Sequence, residues 1–229
     1  MFSQLEIENL LIFLLNPINN HKQHLTDSHR IEVIKNHRQW EKTTLDEKHN
    51  PFYKTISTTV KPRVKQQSDK LLIGLKPITL REMNSRKDHV YTGRVLSVTI
   101  IEETLSWIPS IHLVIEDANF DCERMLIYGI LEEEGEYLIS KLYTVGKKIH
   151  IINPYLRIGA NDMKPSIRVD DISSIVMQSK SEWILNICRY CCEAGASKFC
   201  GKCKQAYYCS KECQTKDWKL YNHKLICKS

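Results

Sequence analysis

The amino-acid sequence predicts an α+β chain, and three observations carry that prediction. A polar stretch with helical periodicity opens the chain, a middle stretch alternates apolar and polar residues, and cysteines crowd the last forty or so positions. They divide it into residues 1–89, a helical and loop arm; 90–177, a β-rich domain; and 178–229, a cysteine-rich module. With 229 residues there is room for one medium domain and a small one.

In the arm, Leu5, Ile7, Leu10, Leu11, Phe13 and Leu14 recur at helix-like spacing until Asn16-Pro17 ends the run. A second helix is expected from Thr26 to about Thr43, capped by Thr26 or Asp27, with Ile31, Val33, Ile34 and Trp40 as its apolar face. Asn50-Pro51 blocks its continuation. Lys54 to Lys70 is basic and short of apolar residues, as a connector would be.

The middle reads as strands at Tyr91–Glu103, Ile111–Glu116 and Arg124–Gly129. A Glu-rich helix follows at Leu131–Leu142, then strands at Lys148–Ile152, Ser166–Val169 and Ile172–Val176. Asn153-Pro154 and Gly159–Pro165 supply turns. Three strands, a helix and further strands is the order of an OB-like small β-barrel, with the helix as its plug. A generic antiparallel sheet with one helix is the other architecture open to this order.

Charge is uneven along the chain. Residues 1–89 carry 15 basic and 10 acidic side chains, 90–177 carry 8 and 13, and 178–229 carry 10 and 4. OB-like barrels can bind single-stranded nucleic acid, and Tyr91, Trp107, Tyr128 and Tyr155 are aromatics that could stack on bases. The acidic balance of this segment opposes phosphate binding, so nucleic acid is a disfavoured alternative partner. The longest apolar stretch, Leu10–Leu15, is far shorter than the ~20 residues a membrane span needs. Glu6 and Glu8, with no Arg or Lys in the first twenty residues, argue against a secretory or mitochondrial leader.

Of nine cysteines, Cys122 stands alone, expected to have no chemistry, and eight lie between Cys188 and Cys227. The spacing is Cys188-x2-Cys191, Cys200-x2-Cys203, Cys209-x3-Cys213 and His223-x3-Cys227. Seven thiolates and one imidazole fill two tetrahedral zinc sites with no open position, so a hydrolytic zinc is not expected. Pairs two apart suit a tight knuckle; pairs three apart suit one face of a helical turn. Cys192, next to Cys191, is surplus. So many thiols at ligand spacing point to a reducing compartment, nucleus or cytoplasm.

The run Tyr208-Cys209-Ser210-x2-Cys213-Gln214-x2-Asp217-Trp218, then His223-Lys224-x2-Cys227, with Phe199 before Cys200, resembles a MYND finger. The resemblance implies interleaved pairs: Cys188, Cys191, Cys209 and Cys213 on one zinc; Cys200, Cys203, His223 and Cys227 on the other. It also implies binding of short partner peptides, often proline-containing, along Ser210, Gln214 and Trp218. Packing of Trp218 on the knuckles is the alternative role for that side chain. Four residues separate Trp218 from His223, where family members usually have two, so the last helix is expected to be extended or looped.

Three middle stretches are similar to the β-domain that precedes TPR and SET modules: Val114-Ile115-Glu116-Asp117 through Leu126-x-Tyr128, Val145-Gly146-x3-His150 through Tyr155, and Ile167-Arg168-Val169-Asp170. No SET-type signature and no Gly-rich phosphate cradle accompanies them. The expectation is a non-enzymatic adaptor, with partners that are other proteins and a place in a multi-protein assembly. The alternatives are a nucleic-acid-associated subunit and an accessory or remnant of a SET-linked protein.

Overall fold

The computed structural model describes residues 24–48, 69–83, 86–107, 110–130, 132–177 and 186–227. The expected helix over Leu5–Leu14, the Asn50-Pro51 stop and nearly all of the basic connector lie outside these residues.

Helix α1 runs over Ser28–Lys48, a turn longer than expected. Asp27 caps it, its Oδ1 accepting from the backbone N–H of His29 (2.9 Å) and Arg30 (3.1 Å). Its buried side is mixed: Arg30, Val33, Ile34, His37 and Arg38 all point inward. Trp40, expected on the apolar face, is 46% exposed and lies against the His112 ring.

The strands follow in order: β1 (Lys76–Ile78), β2 (His89–Val90), β3 (Arg94–Ile100), β4 (Leu105–Trp107), β5 (Ser110–Asp117) and β6 (Cys122–Tyr128). Helix α2 (Glu132–Tyr137) continues as a π turn over Leu138–Leu142. Then come β7 (Lys148–Ile152), β8 (Tyr155–Ile158), β9 (Pro165–Val169) and β10 (Ile175–Met177). The main path of the sheet is β10-β7-β3-β5-β6-β9-β8-β2, with β1 parallel to β3 and β4 antiparallel to β5. The body is thus sheet-rich, behind a helical N-terminal segment. The path is open, and no ladder among the described residues closes it into a barrel.

Alternation places Leu96, Val98, Ile100, Ile111, Leu113, Ile115, Met125, Ile127, Ile149, Ile151 and Ile167 in one core, which Leu138 and Tyr143 of the α2 region cover. Asp117 ties the hairpin turn after β5 to the segment ahead of it, accepting from the N–H of Leu80 (2.8 Å) and Asn119 (2.8 Å). Strand β5 is buried along nearly its whole length, so both its faces are covered. The second face belongs to a second core. There Leu25, Val33 and Ile34 of the N-terminal segment meet Ile101, Val114 and Cys122 of the sheet and the C-terminal module.

Buried ions stitch this second core together. The Arg38 guanidinium, fully buried, donates through Nε and Nη2 to both oxygens of Glu102 (3.0 and 2.7 Å). Its Nη1 donates to Asp217 Oδ1 (2.6 Å) and to the Tyr221 carbonyl (3.0 Å). Arg189 donates to the same Glu102 (3.0 Å) and to Glu103 (3.2 Å). Arg30 pairs with Glu116 and donates from Nε to the Tyr221 hydroxyl (3.0 Å). Burial opposes ionisation of Glu102, but Arg38 and Arg189 outweigh it and hold its carboxyl down to about 2.

Arg38→Ala leaves Asp217 buried without its cation and Glu102 with Arg189 alone. We expect a loss of roughly 3–5 kcal/mol in denaturant unfolding, against a change within about 0.5 kcal/mol for Lys42→Ala on the outer side of α1. Because the folded value of Glu102 is depressed, its contribution is complete above the ordinary glutamate value near 4.3. It is lost as pH falls from there towards 2, which an acid titration of stability will show.

Candidate metal centre

Two knuckles and two helical turns build the C-terminal module. In the first knuckle, Cys188 N–H donates to the Glu193 carbonyl and Cys192 N–H to the Cys188 carbonyl. In the second, Cys200 N–H donates to the Ala206 carbonyl and Lys204 N–H to the Cys200 carbonyl. The residue after the second ligand is left-handed in both, Cys192 at φ +60° and Lys204 at φ +57°. Cys192 therefore holds the turn position that Lys204 holds in the other knuckle and joins neither ligand group. Its sulfur accepts from Arg30 instead (3.7 Å). Short strands β11 (Lys198–Phe199) and β12 (Tyr207–Tyr208) pair beside the second knuckle.

Helix α3 (Lys211–Leu220) starts at Ser210, whose Oγ caps it by accepting from Cys213 N–H (3.1 Å). Cys209 and Cys213 flank that first turn. After α3, Asn222 takes φ +64° and turns the chain into a 3₁₀ turn at His223–Leu225. This turn absorbs the longer spacing after Trp218 and returns His223 and Cys227 to one place.

Two ligand groups result. The donor atoms of Cys188, Cys191, Cys209 and Cys213 lie within 4.8 Å of one another, and so do those of Cys200, Cys203, His223 and Cys227. Sulfur–sulfur distances are 3.6 Å (Cys191–Cys209), 3.4 Å (Cys209–Cys213) and 3.6 Å (Cys200–Cys227); His223 Nε2 is 3.6 Å from Cys203 Sγ. Tetrahedral zinc with Zn–S near 2.3 Å sets sulfurs about 3.8 Å apart, and sulfur and imidazole nitrogen about 3.5 Å apart. A disulfide would need about 2.05 Å. Burial pushes the Cys213 thiol up to about 11 and the Cys227 thiol up to about 12, and neighbouring cysteines push the same way. A dication reverses this, because it binds thiolates.

Asp217 lies behind the second group. It is fully buried; Oδ1 takes the Arg38 bond and Oδ2 accepts from the Tyr208 hydroxyl (2.7 Å). His223 Nδ1, buried and with no hydrogen-bond partner, is 3.8 Å from Asp217 Oδ2. A metal-bound imidazole directs its second N–H at such a carboxylate. The residues present thus fit two zinc ions, each of which would act as a structural cross-link.

Comparison with known proteins agrees with the ligand pattern. The MYND finger family model matches residues 188–227.

This segment is a MYND finger, a protein-interaction module with two zinc-binding clusters.

Its relatives match over the finger. Human N-lysine methyltransferase SMYD2 is 54% identical over 44 residues, 18% of this chain and 10% of SMYD2. The fruit-fly homologue of zinc finger MYND domain-containing protein 10 is 53% identical over 36 residues, 16% of this chain and 8% of that protein. The chain therefore spans about a tenth or less of the length of these curated relatives. A second family model, the C2 domain of protein kinase C delta, epsilon, eta and theta, matches residues 30–124. That stretch begins inside α1 and ends inside β6, cutting across the sheet. Among solved structures, fission yeast Pot1 with single-stranded DNA has a TM-score of 0.34 at 12% identity, covering 60% of this chain and 54% of Pot1. The tetrameric p202 HIN2 structure has 0.31 at 12% identity, covering 45% and 49%. Likenesses this low bear on neither fold nor function.

Of the expected peptide residues, Ser210 is the helix cap, Gln214 is half-buried one turn on, and Trp218 is 39% exposed with its ring edge-on to His223 at 6.0 Å. Tyr208 and Asp217 stand in the quoted finger run without a role assigned to them, and Tyr221 has no signal there at all.

Metal analysis of purified protein is expected to give two zinc ions per chain. Cys203→Ala should lose one of them, whereas Cys192→Ser should keep both.

Proposed function

We propose that the chain is a non-enzymatic adaptor that docks a partner peptide on the exposed side of α3. The observation that carries this is the division of α3 into two stripes. Cys213, Asp217 and Tyr221 face inward, to the metal, Arg38 and the second core. Ser210, Gln214 and Trp218, one turn apart each, form the neighbouring stripe, with Trp218 presenting apolar surface beside a rigid metal turn. An aromatic anchor held by its neighbours binds at low entropic cost.

Charge narrows the partner. Lys198, Lys202, Lys204, Lys211, Lys219 and Lys224 are exposed on the finger, against exposed Glu193 and Glu212, and Glu212 already pairs with Lys216. A peptide with an apolar or proline anchor and acidic flanks suits this surface. The sheet, in the same proposal, is an OB-like framework that seats the finger within a larger assembly. Supporting this, β7 pairs with β3 and β8 pairs with β9, yet only Asn153 and Pro154 separate β7 from β8, so one bent run joins two distant parts of the path. Use of that sheet for nucleic acid is disfavoured on two counts. Arg168 already covers the Tyr128 ring at 4.5 Å, and α1 lies over β5 and β6. The thiolate ligands suit a nuclear or cytoplasmic setting. Among the described residues, no helix is long and apolar enough to cross a membrane.

A pull-down with the full chain, compared with Trp218→Ala, tests the groove. The variant should lose most specific partners while retaining two zinc ions; an unchanged partner list sinks the idea. Peptide binding should also weaken as salt rises from about 50 to about 500 mM, since the screening length falls from about 14 Å to about 4 Å over this range.

A further inference from the structure

We infer that zinc in the finger holds α1 on the sheet: loading of the Cys200–Cys203–His223–Cys227 site and docking of α1 form one cooperative unit, joined through Asp217, Arg38 and Glu102.

The chain of contacts is continuous. His223 presents Nε2 to the ligand group and Nδ1 towards Asp217. Asp217 accepts from Arg38 of α1, and Arg38 grips both oxygens of Glu102, two residues beyond β3. The Cys188–Cys191 knuckle joins the same carboxylate through Arg189, which sits between its two ligands. Beside this line, Tyr221 accepts from Arg30 through its hydroxyl and from Arg38 through its carbonyl, and donates to the Leu25 carbonyl (2.8 Å).

The apolar contacts lead to the same place. In the second core, α1 and the turn before it supply Leu25, Val33 and Ile34, and the sheet supplies Ile101, Val114 and Cys122. The finger supplies the rest, among them Tyr190, Ala206, Tyr208 and Tyr221. A finger of this size owes its folding to metal rather than to a core of its own. When the metal leaves, α1 loses the finger's part of the cover over its inner stripe, and Arg38 loses Asp217 and the Tyr221 carbonyl. Arg38 and Glu102 then remain together in a site that water can enter, where the pair contributes little. Release of α1 uncovers the outer face of β5 and β6, so zinc occupancy gates that face.

Hydrogen exchange on the full-length protein, with and without a strong zinc chelator, tests this without any variant. Amides of Ser28–Lys48 should lose protection at least tenfold along with residues 188–227, while β3, β5 and β7 keep theirs. Unchanged protection of α1 in the metal-free protein overturns the coupling, and so does unfolding of the whole sheet. Asp217→Asn keeps the side-chain size and removes the charge. In cadmium-loaded protein, followed by cadmium NMR that separates a four-cysteine site from a three-cysteine, one-histidine site, this variant should speed metal loss about tenfold or more at the histidine site alone. Equal, wild-type rates at both sites would remove Asp217 from the pathway.

Discussion

A single guanidinium, that of Arg38, sets how the three parts of this chain sit together. It comes from α1, is fully buried, and meets a carboxylate of the sheet and a carboxylate of the finger. Burying a cation costs several kcal/mol, so the arrangement persists only where the donors are matched closely. Glu102 receives a two-pronged grip, Asp217 and the Tyr221 carbonyl share Nη1, and the Tyr221 ring lies 5.7 Å below the guanidinium carbon. Apolar packing would be at least as stabilising but far less selective. Sliding α1 by one turn would carry Arg38 away from both acids and leave Asp217 without a cation. The ions therefore specify register more than they add stability, and the surrounding core supplies the latter.

The finger reaches that register through its own backbone. Each knuckle closes on a left-handed residue, Cys192 or Lys204, and the final turn closes on Asn222. A left-handed non-glycine residue costs about 1–3 kcal/mol and persists where its surroundings over-determine it, as the adjoining hydrogen bonds and the neighbouring metal ligand do at each of these turns. Asn222 matters most: it converts a helix that runs on past Trp218 into a turn that delivers His223 to the second group and leaves Asp217 behind it. Half of each ligand group and the Asp217 and Tyr221 contacts with Arg38 thus follow from one short stretch, residues 209–227.

Legibility in the sequence follows the range of the interaction. Metal ligands are paired within four residues, so their spacing announced four pairs, while the division into two sets came from the family resemblance; the structure groups Cys188, Cys191, Cys209 and Cys213 in one place and Cys200, Cys203, His223 and Cys227 in another. Strands β3, β5, β6, β7 and β9 showed because alternation is local. Short strands such as β1, β4 and β8 were missed because three or four residues hold too little pattern. The outer burial of β5 was invisible for another reason: its cover is α1, whose inner stripe carries Arg30, His37 and Arg38 among Val33 and Ile34. A helix with charges inside reads as a polar arm whose apolar face is only Ile31, Val33, Ile34 and Trp40. Nothing near position 38 tells that its partner is at 217, and the error over Trp40 has the same origin. With arginines taking the interior, the indole is left at the edge, against His112.

The same geometry bears on the two roles open to Trp218. Packing on the knuckle and lining a groove would exclude each other if the ring were buried. At 39% exposure, one edge meets the ring of a metal ligand and the remainder faces outward. The ligand stiffens the indole, and a stiff indole loses less freedom when a peptide covers it. Asp217, one residue earlier and about 100° round the helix, points the opposite demand inward, to Arg38. Neighbouring positions on α3 thus divide the work: position 217 fastens the finger to its own chain, and position 218 keeps an exposed face beside the metal turn.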